Sequence, residues 1–500
     1  MISNTRLWTG HESRSFKNEA EAIGLKGLKT ELMEHQKNAF IKLKDIQACA
    51  LFMDMGTGKT RTTLEFVQYR KKSNKIKNVL WICPINTKKN LEKDIKKHSF
   101  FCIADIEKYG NEDICVVGIE SISRSDRIYN MVYCFAKKYK NDFMLVVDES
   151  HMIKNRKAKR TERIINISKF AKYKLILTGT PITNGVWDLY TQMYILHPGI
   201  LGYKSFYDFA KRHLEYSKKY PGMIIGSRKI EYITQKINPY IYQVTKKECL
   251  DLPPKNYQNR YLYMSKEQRK IYNSVKEYFL NKINLEEFDS FIIFNMIGYL
   301  HRICSGYIDA TFIDYDPLKE QEMITRFQFK TNDKAKAVVP ELNHMPPDAK
   351  KIIWYRYNSD LELLQEVLQE NHIVLSGKIK QKKREESIDH FINGDINIAL
   401  ININIGGTGL NLQKSNYMIY YNNTYDYTKR TQSEDRVYKI GQDKNVHIID
   451  ILYHSSVDER IDYSIRKKSS LIRDLRERIN EIKDNEEEIK KFKETILNEW

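Results

Sequence analysis

Two stretches of the sequence each contain five short apolar segments, and each segment is followed by polar turn residues and a helical pattern. In the first half the segments lie at residues 48–53, 79–83, 114–117, 144–147 and 175–178. In the second half they lie at residues 352–355, 373–375, 396–401, 417–421 and 446–451. Continuous apolar strands that alternate with helices indicate parallel sheets covered on both faces. The sequence therefore predicts an α/β protein with two parallel-sheet lobes.

The pattern changes between these stretches and again at the carboxyl end of the chain. From about 190 to 345 the sequence is richer in Tyr and Lys, with helical periodicity and few parallel-strand signals. We expect an N-terminal lobe over 1–250, with a helical insertion after about 190, and then a linker and helical insertion over 251–345. The second lobe is expected over 346–463. Residues 464–500 are predicted to form a charged amphipathic C-terminal helix, and a solvated tail is the open alternative.

The charge and cysteine content give information about the binding partner and the cellular compartment. Lys and Arg number 83 against 64 Asp and Glu, so the net charge is +19. This balance indicates a polyanionic partner, although a Lys-rich genome would produce the same surface. The seven cysteines contain no CxxC pair, which argues against a zinc site and favours a reducing compartment. We expect a cytoplasmic protein without a membrane span, because no apolar run of about 18 residues occurs.

A glycine-rich segment follows the first apolar strand and opens a helical pattern. Glycine turns let backbone N–H groups approach phosphate closely, and the positive end of the following helix adds to the attraction. Lys59 is expected to reach the β- and γ-phosphates of a nucleotide, and Thr60 to bind Mg²⁺. The residues expected to cradle the phosphates are Gly56, Thr57, Gly58, Lys59 and Thr60.

Two acidic residues end the apolar strand at 144–147. In a parallel sheet, the carboxyl ends of the strands share one edge, so these acids are expected beside the phosphate loop. Asp148 is predicted to hold Mg²⁺, and Glu149 to orient and deprotonate an attacking water. Upstream, Gln36 offers both a donor and an acceptor that match the edge of adenine. The sequence therefore predicts a site for ATP with Mg²⁺.

The motifs resemble helicase superfamily two, and within it the SWI/SNF-type remodeller and translocase group. The segment Asp148-Glu149-Ser150-His151, followed by a Lys-Asn pair at 154–155, is close to the group's DEAH-x-x-KN. The run over 432–442 is the most group-specific match. The segments that resemble family motifs, in order along most of the chain, are 32–36, 56–60, 83–86, 148–151, 177–184, 251–255, 300–306, 405–412 and 432–442.

The resemblance implies two RecA-like lobes with ATP between them. It assigns Arg436 and Lys439 of the second lobe to the γ-phosphate and places Gly409 at the nucleotide. A cation that arrives on lobe closure would stabilise the transition state. Lys439 replaces a family arginine and loses the planar guanidinium fork, so we expect Arg436 to dominate. The first glycine of the usual phosphate loop is also missing, because Met53 stands there.

Two further departures from the family lie in the second half. The acidic position that follows the 405–412 motif is Asn422, and the family's Trp-Asn-Pro reads Tyr-Asp-Tyr over 425–427. The insertions are short, and no chromatin-binding module fits within 500 residues. The chain therefore resembles a bare motor.

The resemblance also supplies a predicted nucleic-acid track. Motors of this kind hold backbone phosphates with amides, hydroxyls and cations rather than reading bases. In the first lobe the predicted contacts are Asn86, Thr87, Lys88, Ser121, Thr183 and Asn184. In the second lobe they are Arg356, Ser376, Gly377, Arg384 and Thr408.

The leading interpretation is an ATP-hydrolysing translocase on double-stranded or branched DNA that serves replication, recombination or repair, in a phage or a bacterium. An RNA helicase is a second interpretation, against which the form of the 432–442 motif argues. A binding module with a dead ATPase site is a third. The fourth is the motor subunit of a restriction or defence complex, with a nuclease as its partner protein. The sequence contains no evident strand-separating pin, so translocation is favoured over unwinding.

Overall fold

The chain forms two compact units, Met1–Asp251 and Leu252–Trp500. The structure is a computed structural model. It describes residues 28–182, 185–216, 224–283, 290–309, 326–329, 332–379, 381–405, 410, 412–482 and 485–500. None of the helices in these ranges is long and apolar enough to cross a bilayer.

The first unit is built on a seven-stranded sheet in which all neighbouring strands are parallel. The strand order is β3-β4-β2-β5-β6-β1-β9, and β7 and β8 form a separate antiparallel pair. The strands are β1 Ala48–Met53, β2 Asn78–Cys83, β3 Ile103–Asp105, β4 Ile114–Gly118, β5 Phe143–Val147, β6 Tyr173–Leu177, β7 Leu214–Tyr216, β8 Ile224–Ser227 and β9 Ile241–Val244.

Helices cover both faces of this sheet, which explains why its central strands are mainly apolar. Ala50 and Phe52 of β1 pack into one core cluster, whereas Cys49, Leu51 and Met53 pack into another. Successive side chains of a strand point to opposite faces, so both faces must be apolar. The helices are Glu34–Leu43, Lys59–Lys72, Lys88–His98, Ile119–Arg124, Asp126–Lys138, Lys159–Ser168, Asp188–Leu196, Phe206–His213, Ile230–Ile237 and Lys246–Cys249, with 3₁₀ turns at Ile106–Lys108, Ser150–Ile153 and Asn238–Tyr240.

The second unit contains a six-stranded parallel sheet with the order β10-β17-β16-β13-β15-β14. A short antiparallel pair, β11 with β12, lies apart from it. The strands are β10 Lys255–Leu262, β11 Tyr307–Asp309, β12 Arg326–Gln328, β13 Lys351–Tyr355, β14 His372–Leu375, β15 Ile398–Asn402, β16 Tyr417–Tyr420 and β17 Val446–Tyr453.

The central strands of the second sheet are also buried on both faces. Ile352 and Trp354 of β13 pack into one cluster, and Ile353 and Tyr355 pack into another. The helices of this unit are Lys266–Lys282, Ser290–Ser305, Asp333–Lys336, Val338–Asn343, Asn358–Val367, Gln381–Asn393, Tyr427–Glu434, Val457–Arg466, Leu471–Ile482 and Glu486–Glu499, with a 3₁₀ turn at Ile403–Ile405. The prediction of two parallel-sheet lobes is confirmed.

Three strands of the parallel sheets were not predicted, and each lies at a sheet edge. They are Ile103–Asp105, Ile241–Val244 and Lys255–Leu262. The last of these lies within the stretch expected to hold only a linker and a helical insertion, and it pairs with β17 over its full length. Edge strands are short or partly solvated, so they lack the continuous apolar run on which the prediction depended.

The C-terminal segment forms two helices rather than the single helix expected. Asn485 has an extended backbone and caps the second helix by accepting from the N–H groups of Glu487 and Glu488. Apolar residues of both helices pack into one core cluster of the second unit: Leu471, Leu475, Ile479, Ile482, Ile489, Phe492, Ile496 and Trp500. The solvated-tail alternative is therefore wrong.

Candidate functional site

The glycine-rich loop joins the end of β1 to the helix Lys59–Lys72. Gly56 has a φ angle of 78° and Gly58 a φ angle of 86°, a region that glycine adopts without steric cost. Thr57 is buried between them, and its hydroxyl donates to the Asp54 carbonyl at 2.8 Å. The loop is therefore a tight turn that ends at a helix N-terminus, the geometry of a phosphate cradle.

Two side chains of the helix Glu34–Leu43 support this turn. His35 Nε2 and Gln36 Nε2 donate to the Thr57 carbonyl at 2.8 and 3.1 Å. A Cβ atom on Gly58 would lie 2.1 Å from Gln36 Nε2, so a larger residue there would displace the Gln36 amide group. The amide oxygen of Gln36 accepts from the Met33 N–H group at 3.0 Å. Gln36, predicted to contact adenine, thus also holds the loop, and sequence reasoning missed the same role for His35.

The Lys59 ammonium group contacts the backbone at the start of the loop. It donates to the carbonyl oxygens of Met53 and Asp54 at 2.8 and 3.1 Å. Both acceptors are neutral carbonyl groups, so neither offsets the ammonium charge with which Lys59 can attract a phosphate oxygen. Met53, which stands where the family has a glycine, contributes a backbone carbonyl here.

The beginning of the loop is fixed by the edge strand β9, which was not predicted. The Asp54 N–H group donates to the Val244 carbonyl at 3.1 Å. The Asp54 carboxylate accepts from the Lys246 N–H group at 2.9 Å. The Asp54 and Lys246 positions differ by 192 residues, so sequence patterns, which depend on local spacing, could not show this support.

The two predicted acids lie at the carboxyl end of β5. The Asp148 N–H group donates to the Ile82 carbonyl of β2 at 2.8 Å, and its carboxylate accepts from the Glu149 N–H group at 2.9 Å. Burial raises the pKa of Asp148, the nearby Glu149 carboxylate raises it further, and the positive charge of Lys59 opposes both. Glu149 has a φ angle of 49°, an uncommon value for a residue with a side chain.

His151 connects these acids to the segment that follows β6. Its Nδ1 lies 3.3 Å from the Glu149 carboxylate and 3.3 Å from the Thr178 hydroxyl. A Cβ atom on Gly179 would lie 3.2 Å from the backbone nitrogen of Met55, so this segment also abuts the phosphate loop. The loop, the acids and the 177–182 segment therefore form one contiguous arrangement.

The residues expected to hold Mg²⁺ fit the ion's chemistry. Thr60 lies in the first turn of the helix after the loop, and Asp148 offers a half-buried carboxylate whose raised pKa a divalent cation would lower. Among the described residues, no group of three or more His, Cys, Asp and Glu side chains could hold a metal. Mg²⁺ commonly binds through one or two protein groups together with phosphate oxygens and water.

Four of the predicted nucleic-acid residues of the first unit lie at or beside the start of the helix Lys88–His98. Asn86 is exposed, and the Thr87 hydroxyl donates to the Pro84 carbonyl at 2.9 Å. Lys88 forms an ion pair with Asp105, which partly neutralises its charge. Ser121 lies on the adjacent helix Ile119–Arg124. Thr183 and Asn184 lie outside the described residues.

In the second unit, Arg356 follows β13, and its guanidinium carbon lies 3.8 Å from the centroid of the Tyr425 ring. Arg384 donates to the Ser376 and Ile379 carbonyls at 3.1 and 3.2 Å, so it closes the turn that contains Gly377. Thr408 and Gly409 lie outside the described residues. The structure brings Ser376, Gly377 and Arg384 together in one turn.

Arg436 is buried, with 7% of its surface exposed, and its carbonyl accepts from the Leu412 N–H group at 3.1 Å. Lys439 lies one turn further along the chain and is half-buried. The neighbouring Glu434 binds Lys255 and Tyr257 of β10 at 2.7 and 2.8 Å. The most group-specific motif therefore also anchors an edge strand.

Asn422, the departure from the family's acid, belongs to a buried polar network. Its side-chain oxygen accepts from the Lys334 ammonium at 3.0 Å, and its nitrogen donates to the Asp360 carboxylate at 2.9 Å. Lys334 also pairs with Asp458 at 2.7 Å. The neutral amide thus connects a cation to a carboxylate. An ionised acid at this position would have no N–H group to donate to Asp360.

The chain is similar to several known proteins. The chain is 25% identical to the TATA-binding protein-associated factor mot1 of Aspergillus fumigatus, over 87% of this chain and 26% of that protein. It is 24% identical to the ATP-dependent helicase fft1 of Schizosaccharomyces pombe, over 82% of this chain and 48% of that protein. The chain thus spans less than half the length of either relative.

Among solved structures, the Sulfolobus solfataricus SWI2/SNF2 ATPase core in complex with dsDNA is similar, with 24% identity and a TM-score of 0.41 over 93% of this chain and 97% of that one. A helicase conserved C-terminal domain matches residues 333–441. An SNF2-related domain matches residues 25–306, more than half of the 500 residues. The chain belongs to the SNF2-related domain family.

Proposed function

We propose that this protein is an ATP-hydrolysing motor that translocates on double-stranded or branched DNA. The observation that carries the proposal is the placement of Lys59, Asp148 and Glu149 at the carboxyl end of the first sheet. Lys59 is close enough to Asp148 for its charge to oppose the raised pKa of that carboxyl group. A cation, a metal-binding acid and a general base beside a phosphate cradle are the parts that phosphoanhydride hydrolysis needs.

Each residue of the site has a proposed role. Gly56, Thr57 and Gly58 present backbone N–H groups to the phosphates, Gln36 contacts adenine, and Lys59 neutralises the β- and γ-phosphates. Glu149 accepts a proton from water as the water oxygen bonds to the γ-phosphorus and the bond to the ADP oxygen breaks.

Thr60 and Asp148 would hold Mg²⁺, which supplies positive charge to the phosphate oxygens. Arg436 supplies further positive charge to the γ-phosphate, with Lys439 and Gly409 as weaker contributors. Arg436 has the planar, permanently charged group that suits this role best.

DNA is the proposed track because the net charge is +19 and the chain belongs to the SNF2-related domain family. The proposed phosphate contacts comprise Arg356, Ser376, Gly377, Arg384 and Thr408 in the second unit. Those in the first are Asn86, Thr87, Lys88, Ser121, Thr183 and Asn184. The proposed context is replication, recombination or repair, in the cytoplasm of a prokaryotic or infected cell, where free cysteines stay reduced.

The test is ATP hydrolysis by the purified chain without nucleic acid and with duplex DNA, branched DNA, single-stranded DNA or RNA. We expect duplex or branched DNA to stimulate hydrolysis strongly. Lys59→Ala should lower the stimulated rate by about 100-fold or more, because it removes a preorganised charge. Lys137→Ala is the matched control, since Lys137 is exposed on the helix Asp126–Lys138.

Other outcomes would replace the proposal. Stimulation by RNA alone would indicate an RNA helicase. Absence of hydrolysis with every nucleic acid would indicate a binding module. Hydrolysis that appears only after a co-purified nuclease is added would indicate the motor subunit of a restriction or defence complex.

A further inference from the structure

A shallow cavity of about 360 Å³ lies on the first unit, and none of the residues assigned above lines it. It is lined by Asp208, Lys211, Arg212, Arg228 and Lys229. All five side chains are exposed, and none belongs to a motif that resembles the family. Four cations against one acid leave an excess of three positive charges at this cavity.

Two short segments bring the cations together. Lys211 and Arg212 lie in the last turn of the helix Phe206–His213. Arg228 and Lys229 follow β8 directly and precede the helix Ile230–Ile237. Pairing of Leu214 in β7 with Ser227 in β8 holds the two segments side by side.

His213 ties the two segments together beneath the cavity. It is fully buried; one ring nitrogen hydrogen-bonds with the Tyr203 hydroxyl, and Nδ1 contacts the Arg228 carbonyl at 3.1 Å. Burial lowers the pKa of His213, so the ring stays neutral at pH 7 and acts as a structural bridge. Arg228 also donates to the Leu214 carbonyl at 3.3 Å. Hydrogen bonds between the two segments therefore hold the backbone that carries the four cations.

Within the described ranges, no carboxylate forms an ion pair with the four cations of the cavity. The Arg212 guanidinium carbon lies 5.0 Å from the Tyr232 ring centroid, a contact that orients the group without neutralising it. Asp208, the acid in the lining, accepts from the Ser205 hydroxyl at 2.9 Å. Exposed like charges on a rigid frame repel one another and attract anions.

We propose that this cavity binds backbone phosphates of DNA, as an accessory contact separate from the motif-derived track. The inference rests on the proposed function, because it takes DNA as the track. The lining contains cations and no aromatic residue, so it suits phosphate groups rather than stacked bases.

The test compares Lys211→Gln/Lys229→Gln with the control Lys137→Gln/Lys140→Gln. Both double variants lose two exposed charges and keep long polar side chains. Duplex DNA affinity is measured over a series of salt concentrations, with thermal melting to confirm equal folding. Loss of two phosphate contacts should lower the slope of log affinity against log salt by about 1.8, from about 0.9 per contact. The control should keep the wild-type slope.

A slope unchanged in the cavity variant, or lowered equally in both variants, overturns the accessory site. In the cavity variant, the KM for ATP measured without DNA and the inhibition of hydrolysis by inorganic phosphate should equal the wild-type values. A change in either quantity would indicate that the cavity binds free anions instead of DNA. Wild-type protein that fails to bind DNA would overturn the proposed function and this site together. DNA binding by wild type with equal slopes in both variants would overturn this site alone.

Discussion

The guanidinium group of Arg356 is stacked on the ring of Tyr425, with its carbon 3.8 Å from the ring centroid. The Tyr425 hydroxyl lies 3.0 Å from the Tyr357 hydroxyl and 3.2 Å from His301 Nδ1. Tyr425 stands where the family has tryptophan, so the aromatic face is retained while a hydroxyl is added. The stacked ring limits the directions in which Arg356 can point.

Tyr425→Leu should weaken duplex DNA binding by about fivefold, because a cation–π contact contributes about 1 kcal/mol. Tyr425→Phe keeps the ring and should bind DNA nearly as wild type does, although it loses the hydroxyl contacts. Fluorescence anisotropy with labelled duplex measures both. Equal losses in the two variants would show that the hydroxyl network, rather than the ring, matters.

Gly58→Ala should weaken ATP binding by at least about tenfold, or about 1.4 kcal/mol. The added Cβ would lie 2.1 Å from Gln36 Nε2, and the φ angle of 86° disfavours alanine. Fluorescent nucleotide titration measures the effect.

Gly298→Ala is the matched control for this substitution. Gly298 lies in the helix Ser290–Ser305, and a Cβ there meets no atom within 4 Å. This variant should keep nucleotide affinity and gain about 1 kcal/mol in unfolding free energy, from better helix propensity. Equal nucleotide affinity for both variants would contradict the steric account of the loop.

ATP hydrolysis should decline as the pH falls through the raised pKa of Asp148, since the protonated carboxyl group cannot bind a metal ion. Burial and the Glu149 charge raise this pKa, so the decline should begin at a higher pH than an ordinary aspartate would cause. Because Mg²⁺ competes with the proton, higher Mg²⁺ should move the decline to lower pH. A pH–rate series at two Mg²⁺ concentrations tests this, and a Mg²⁺-independent profile would contradict it.

Asp148→Asn should abolish hydrolysis and raise the melting temperature at pH 8. A raised pKa in the folded state means that the charged carboxylate destabilises the fold above that pKa, and the amide removes this cost. The side-chain oxygen can still accept from the Glu149 N–H group. Calorimetry without nucleotide measures the melting temperature. A lower melting temperature in the variant would show that the charged Asp148 carboxylate stabilises the fold.

Asn422→Asp restores the family's acid and is nevertheless expected to destabilise the protein. The new carboxylate would face Asp360, whose oxygen lies 2.9 Å from the Asn422 side-chain nitrogen, and that donor would be lost. We expect a loss of about 2 kcal/mol in unfolding free energy, typical of a buried unsatisfied group. Urea denaturation measures it, with the exposed Asn445→Asp as the control for an added charge. A stability equal to that of the control would show that Lys334 accommodates the second acid.

Local patterns were sufficient for the central strands and the site residues that follow them. The apolar runs that contain Ala50 and Leu145 identify strands buried on both faces, because helices cover both sides of a parallel sheet. The turn of Gly56 and Gly58 and the acids after β5 were predictable because strand ends and glycine turns leave signals within a few residues. Edge strands leave weaker signals, so β3, β9 and β10 were missed.

By itself the sequence determined the class of fold, the glycine turn after β1 and the position of two acids after β5, because periodicity and short spacings encode them. Only the tertiary structure decided what holds these parts in place. Val244 anchors Asp54 across the sheet, His35 supports Thr57, and His151 connects Glu149 to Thr178. These contacts have no fixed spacing in the sequence. They form because the packing of strands and helices brings the residues within hydrogen-bond distance. The same packing placed four cations from two separate segments around one cavity.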